Sequence, residues 1–184
     1  AEVDEIWHVG DIGTVELADR LAALHPIKAV HGNIDGSDLR LMFPEKLRFK
    51  CEEVDVLMKH IGGYPGRYNP WLLPMFRNSA LKKAGTSVDR NSAPAIDLFV
   101  CGHSHILRVM YDKELGLLHI NPGAAGIQGW HVQRTLVRIT IDGSEIKDVQ
   151  VIGVPDKQYG EEIMACVILK EGETMTVDEM LKAT

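Results

Sequence analysis

The chain has 184 residues, 45% of them hydrophobic and 25% charged, with a formal net charge of −6. That composition supports a folded core in one domain, or in one domain plus a fragment, and sets aside wholesale disorder. An acidic balance with no long basic run excludes a dedicated nucleic-acid surface or a binder of anionic membranes. A phosphate-bearing substrate stays open, because bound metal ions supply positive charge locally.

Glu5-Ile6-Trp7-His8-Val9 reads as a short strand that stops at Gly10-Asp11-Ile12-Gly13. A helix follows, capped by Thr14, with Glu16 in its first turn and Leu17, Leu21 and Leu24 on one face before Pro26 ends it. Ile27 to Val30 is a second short strand, which leads into Gly32-Asn33-Ile34-Asp35-Gly36. Strand, glycine-bounded loop, helix, strand, loop is an α/β rhythm. Leu47 to Cys51 and Val54 to Lys59 form a hairpin about Glu52-Glu53, and the second strand runs straight into His60. Gly62-Gly63-Tyr64-Pro65-Gly66 is a turn-rich loop, Pro70 to Ala84 is helical despite Pro74, and Gly85 to Pro94 is polar and mobile. Ile96 to Cys101 is an unbroken apolar strand, hence central, and it delivers Gly102-His103-Ser104-His105. Two hairpins close the pattern: Ile106 to Tyr111 with Leu117 to Ile120, then Arg134 to Ile141 with Glu145 to Ile152 about Asp142-Gly143.

Four times a short strand ends in a loop bearing a metal-ligand type: Asp11, Asn33, His60 and the His103/His105 pair. Ligands placed just after strand ends converge on one rim of a sheet, where α/β proteins put their sites. In an extended stretch i and i+2 share a face, so His103 and His105 are expected to point into one site. Carboxylate, amide oxygen and imidazole together suit manganese above all, with zinc, iron, nickel or cobalt as alternatives, rather than calcium. Two such ions about 3.5–4 Å apart need a bridging acid, for which Asp11 is the candidate, and would clamp the oxygens of a phosphoryl transfer. Each residue alone has a plainer reading. Gly-Asp is a common turn or cap, Asn33 a turn residue, and His60 a half-buried core histidine; the specificity lies in the whole set and its order.

The motifs His8-Val9-Gly10-Asp11, Gly32-Asn33-Ile34-Asp35, Met58-Lys59-His60, Cys101-Gly102-His103-Ser104-His105 and Ile120-Asn121-Pro122-Gly123-Ala124 resemble the calcineurin-like metallophosphoesterase superfamily, in its small bacterial and archaeal phosphodiesterase branch. The resemblance covers residues 1 to about 152. It implies an α/β (α+β) sandwich of two mixed β-sheets flanked by helices. It further implies a dinuclear site in which Asp11 bridges two ions, Asn33, His60 and His103 complete one coordination shell and His105 joins the other. Asp11, Asn33 and His60 are then the expected catalytic residues, acting on a small phosphodiester or phosphomonoester. A homodimer is common among such relatives. His8 and His31 are expected to pack beside the ligands, His119 and His131 to be structural or at the surface, and Asn121-Pro122-Gly123-Ala124 to shape the pocket floor.

The sequence departs from that family in three places. Its opening Asp-x-His motif has no counterpart, so the fold is expected to lack its first strand, with upstream residues missing and activity weak or absent. Ile34 stands where many superfamily members carry a histidine that acts on the leaving group. Residues 153–184, with Gly153-Val154-Pro155-Asp156 and Cys166-Val167-Ile168-Leu169-Lys170, resemble a fragment of the C-terminal lid of acyl-CoA synthetases and other adenylate-forming enzymes. A chimeric reading frame is the expectation, with its crossover near residues 147–152, and without adenylating activity. The alternative function is a non-catalytic protein-binding scaffold on the same fold, similar to the phosphoesterase-like subunit of retromer. Three cysteines (Cys51, Cys101, Cys166), none in a CxxC pair, point to reduced thiols rather than disulfides or a zinc knuckle. No apolar run reaches a membrane-spanning length and no signal peptide is read, so the cytoplasm is the expected compartment.

Overall fold

The structure, a computed structural model, describes residues 3–85, 95–127, 129 and 133–153. The first half alternates short strands with helices: β1 (Ile6–His8), α1 (Val15–Ala22), β2 (Ile27–Ala29) and α2 (Ser37–Met42). There follow β3 (Lys46–Cys51), β4 (Val54–Lys59), a small hairpin of β5 (Gly63–Tyr64) and β6 (Arg67–Tyr68), and α3 (Leu73–Lys83). The second half is all strand: β7 (Leu98–Val100), β8 (Arg108–Asp112), β9 (Leu117–Asn121), β10 (Thr135–Asp142) and β11 (Glu145–Gly153).

A mixed five-stranded sheet in the order β3-β4-β7-β9-β8 organises the molecule. β4, β7 and β9 run parallel, and antiparallel β3 and β8 form its edges. The unbroken apolar strand is therefore central, as its sequence predicts. Side chains alternate between the two faces. Val54, Val56, Met58, Leu98, Val100, Leu118 and Ile120 point to one face. There they pack with Trp7, Val9 and Val30 of the parallel β1–β2 pair and with Val137, Ile139 and Val149 of the antiparallel β10–β11 hairpin. Leu57, Phe99 and Leu117 point to the other face, where Tyr68, Leu72 and Phe76 cover them. Each fully buried large side chain here contributes about 2–3 kcal/mol of burial free energy. Ile12, Ala18, Ala29 and Leu39 form a third cluster that seats α1 and α2 on β1–β2. The result is a sandwich of mixed sheets with helices outside both layers.

Local chemistry accounts for most elements. The Thr14 hydroxyl accepts the amide of Leu17 at 3.1 Å and starts α1. Pro74 sits in the first turn of α3, where its missing N–H costs nothing. The β3–β4 turn is closed by Glu52 in a left-handed conformation, φ 51°. Glu53 N donates to the carbonyl of Gly143 at 3.0 Å, pinning the β10–β11 turn against this one.

Three expectations need correcting. Of the Leu17, Leu21 and Leu24 face, Leu17 and Leu24 are exposed and Leu21 is half-buried, and α1 seats itself through the buried Ala18 and the half-buried Val15; the small Ala18 lets the helix approach the sheet closely. The last hairpin turns on Gly143-Ser144, because Asp142 already pairs with Glu145, and a bulge at Thr140/Ile141 absorbs the offset. The turn-rich loop 62–66 is itself a hairpin, and α2 is an element the sequence does not announce. The polar stretch 86–94, His131, Cys166 and residues 154–184 lie outside the described residues. Among those described, no helix is long and apolar enough to cross a membrane.

Candidate metal centre

Parallel strands end their backbone at one edge, and the loops leaving β1, β2, β4 and β7 meet there. Two layers of the sandwich contribute, not a single sheet rim: Asp11 and Asn33 come from the β1–β2 pair, His60 and His103 from the five-stranded sheet. Nε2 of His60 lies 2.9 Å from Oδ1 of Asn33 and 3.2 Å from Oδ2 of Asp11. Nδ1 of His103 lies 2.8 Å from the same Asn33 oxygen. Ligand-type atoms of Asp11, His60 and His103 all fall within 4.8 Å of one another. His60 is buried and floors the cluster, Asp11 is half-buried, and Asn33 and His103 are open to solvent.

Proton positions follow from the donors available. Nδ1 of His60 is 2.6 Å from the carbonyl of Val9, which only accepts, so in the neutral ring this nitrogen carries the hydrogen. Nε2 then presents a bare lone pair to a carboxylate oxygen and an amide oxygen, which also only accept. Three electron-rich atoms face one another with no hydrogen between them. That confrontation is repulsive as it stands, and a divalent cation among the three turns it into coordination. The donor set fits such an ion.

The backbone bends to make this edge. Among the described residues, four that are not glycine have left-handed φ, and three belong to the predicted ligand set: Asp11 (58°), His103 (66°) and His105 (57°). Each costs about 1–2 kcal/mol, and strain of this kind gathers at functional sites. It also overturns the extended geometry expected for the histidine pair. The chain bends through 103–104, so the two imidazoles do not share a strand face. His105 is half-buried and is not one of the three residues whose ligating atoms group together.

Two glycines are steric requirements. A Cβ on Gly32 would run into the carboxylate and the backbone nitrogen of Asp11, and one on Gly10 would sit 2.6 Å from Nδ1 of His60. Only a hydrogen fits at either position.

Residues outside the predicted ligand set hold these loops. Asp35 is buried, and its carboxylate accepts the amides of Gly13 at 2.8 Å and Gly32 at 2.7 Å, bolting the Asp11 loop to the Asn33 loop. Burial pushes its pKa up, but the backbone N–H groups of Gly13, Gly32, Asp11 and Ile12 outweigh that, and the net shift is downward. Arg40 of α2 braces the same loop from outside, donating to the carbonyls of Asp35, Gly32 and Asn33 at 2.7, 3.0 and 3.1 Å. Asn121, at the end of β9, donates to the Gly102 carbonyl at 2.9 Å and to Ser104 Oγ at 3.0 Å, fixing the His103 loop. Asp35 and Asn121 stand inside quoted motifs, which is the signal that marks them; their tasks need partners distant in sequence and could not be read from it. His8 accepts the Gly10 amide at 3.3 Å, and burial lowers its pKa, so it stays neutral beside the centre.

A family model described as a calcineurin-like phosphoesterase superfamily domain matches residues 1–144. Among solved structures, Vps29 from Chaetomium thermophilum is similar at 14% identity and a TM-score of 0.61, over 94% of this chain and 85% of that one. Vps29 from Entamoeba histolytica, complexed with zinc, gives 17% and 0.55 over 83% and 82%. A predicted phosphoesterase from Streptococcus pneumoniae gives 20% and 0.50 over 83% and 75%. Identities this low speak for the fold alone. Among curated proteins, the mitochondrial medium-chain acyl-CoA ligase ACSF2 of Homo sapiens is 53% identical over 36 residues, 20% of this chain. The chain spans only 6% of that relative's length.

Proposed function

The chain belongs to the calcineurin-like phosphoesterase superfamily, and from that membership we propose that it is a metal-dependent phosphodiesterase whose centre is built on Asp11, Asn33, His60, His103 and His105. The proton-free meeting of Asp11 Oδ2, Asn33 Oδ1 and His60 Nε2 carries the reading. These three and His103 would hold one divalent ion, manganese foremost, and Asp11 with His105 would reach toward a second. Such an ion supplies Lewis acidity and a hydroxide source near neutral pH. The protein's own part is to orient and to exclude alternatives. Val9 O locks the His60 ring with its lone pair inward. The Ile34 amide donates to Asp11 Oδ1 at 3.2 Å and leaves Oδ2 for the centre. Ile34 has no proton to give, so a departing alcohol takes its proton from solvent. We place the phosphoesterase domain at residues 1–152 and assign 153–184 to the acyl-CoA-synthetase-like fragment of a chimeric frame.

In a second reading the same residues hold metal without turnover and the fold serves as a protein-binding scaffold. Hydrolysis of bis(4-nitrophenyl) phosphate with added Mn²⁺ separates the two. The enzymatic reading expects turnover that a chelator abolishes and that falls by about 100-fold or more in Asn33→Ala, beyond the range for indirect partners of a metal ligand. Metal binding without any turnover supports the scaffold, and turnover indifferent to the chelator contradicts both.

A further inference from the structure

The loop that carries Asn33 is gripped by two opposite charges. The Asp35 carboxylate takes amides, from Gly32 at 2.7 Å and from Gly13 at 2.8 Å. The exposed Arg40 guanidinium takes carbonyls: Nε donates to Asp35 at 2.7 Å, and Nη2 donates to Gly32 at 3.0 Å and to Asn33 at 3.1 Å. Nη1 lies 3.3 Å from Nδ1 of His31, so every nitrogen of the guanidinium is engaged. A planar fork used in this way fixes its partners in one geometry, which a lysine ammonium does not reproduce.

One of these contacts leads on to the metal centre. The Asn33 carbonyl and the Ile34 N–H belong to a single peptide unit, and among the described residues no peptide bond is cis. In a planar trans unit the two groups point in opposite directions. The carbonyl end accepts from Arg40, and the N–H end donates to Asp11 Oδ1 at 3.2 Å. A charged donor on the carbonyl fixes the plane of the unit and polarises its N–H, which strengthens the bond at the far end. With Oδ1 held there, the other Asp11 oxygen, Oδ2, stands 3.2 Å from Nε2 of His60. Two hydrogen bonds and one rigid plane thus connect α2 to the carboxylate.

We infer that Arg40 is a positioning residue of the metal centre, which through the Asn33–Ile34 peptide sets the Asp11 carboxylate with Oδ2 toward His60. This deepens the metal-centre reading and rests on it. A residue outside the ligand set, carried by a helix, decides which oxygen of Asp11 is left for the ion. A purely structural Arg40, one that only ties α2 to the loop, would leave the Ile34–Asp11 bond and the metal affinity as they are.

Arg40→Met separates the two, because it keeps an aliphatic stem and a good helix former in α2 while removing every donor. Mn²⁺ affinity is measured by calorimetry, and the Ile34 amide proton is followed by NMR in the metal-free protein. The Glu53 amide, bound to the Gly143 carbonyl, serves as the control. The expected result is Mn²⁺ binding about tenfold weaker, within the range for indirect partners of a metal ligand, with the Ile34 resonance moved upfield and that of Glu53 unmoved. If Arg40→Met fails to fold, Arg40→Lys is read in the same way. It keeps the charge but not the fork, and the same two changes are expected in smaller measure. Unchanged Mn²⁺ affinity overturns the inference and leaves the metal centre standing. So does weaker binding with the Ile34 amide unmoved, or with both amides moved alike. A wild type that binds no Mn²⁺ overturns the metal centre and the inference together.

Discussion

Two buried histidines of one sheet, carried by the strands that flank β7, have opposite surroundings. His60, just past the end of β4, is 4% exposed and uses both ring nitrogens, one on the Val9 carbonyl and one facing Asn33 and Asp11. His119, in the middle of β9, is fully buried and uses neither. Its ring packs instead against Tyr68 and Phe99, each at 5.7 Å between centroids, on the opposite face of the sheet from β1 and β2. Burial pushes the pKa of His119 down to about 4, helped by the positive charge of Arg108 and opposed by Asp112. Burial alone therefore does not mark a functional histidine. What separates the two is whether the fold has brought acceptor-only atoms to a nitrogen lone pair, and only the strand-end loops have done so.

The contrast breaks most readily at the bolt between those loops. Asp35→Asn keeps the shape but turns one oxygen into an N–H that faces a backbone N–H of Gly13 or Gly32. It is expected to cost about 2–3 kcal/mol in urea unfolding and to weaken metal binding by about 10–100-fold, because the Asp11 and Asn33 loops part. An Asp35→Asn protein with wild-type stability and affinity would show that the loops hold without it.

On the other face the expected effect is smaller and lies in the pH dependence of stability. His119 stays neutral in the folded chain down to about pH 4, whereas an unfolded chain takes up a proton on this ring below its ordinary value of 6.5. The unfolded state binds more protons in that window, so stability falls as pH drops from 6.5 toward 4, by about 1 kcal/mol per pH unit. His119→Leu removes this slope, and the loss of two unpartnered nitrogens makes the variant as stable as wild type or more so at pH 7. Urea midpoints at pH 5 and pH 7 check it: an unchanged slope would mean that the ring is partnered or solvated after all.

Much of this was legible in the sequence, and the rest fails for identifiable reasons. Strands announced by apolar runs, the Thr14 cap and the β3–β4 hairpin stand where the sequence puts them, because their signals are local; the last hairpin forms too, with its turn one residue later. The six-residue α2 has no side-chain cap, its N-cap being Gly36, and so it carried no start signal. The leucine stripe of α1 is periodic, yet the sheet beneath it is only two strands wide and takes the smaller Val15 and Ala18. At the site, four of the five named side chains stand in one connected group, with Asn33 joining His60 to His103. Motif order foretold that grouping. The spacing of the histidine pair misled, because period-two reasoning holds for strands and both residues are left-handed. Asp35, Arg40 and Asn121 act on backbone groups of other loops, and no local pattern reports such partners.

Of these two histidines, His60 is the one proposed to hold metal, and His119 is not. Calorimetric titration of Mn²⁺ into the wild type and into the matched variants His60→Leu and His119→Leu tests it directly. Equal affinity for wild type and His119→Leu, with binding about 100-fold weaker or more in His60→Leu, a loss of about 2.7 kcal/mol, is the predicted result. Wild-type affinity in His60→Leu, or an equal loss in both variants, would contradict it.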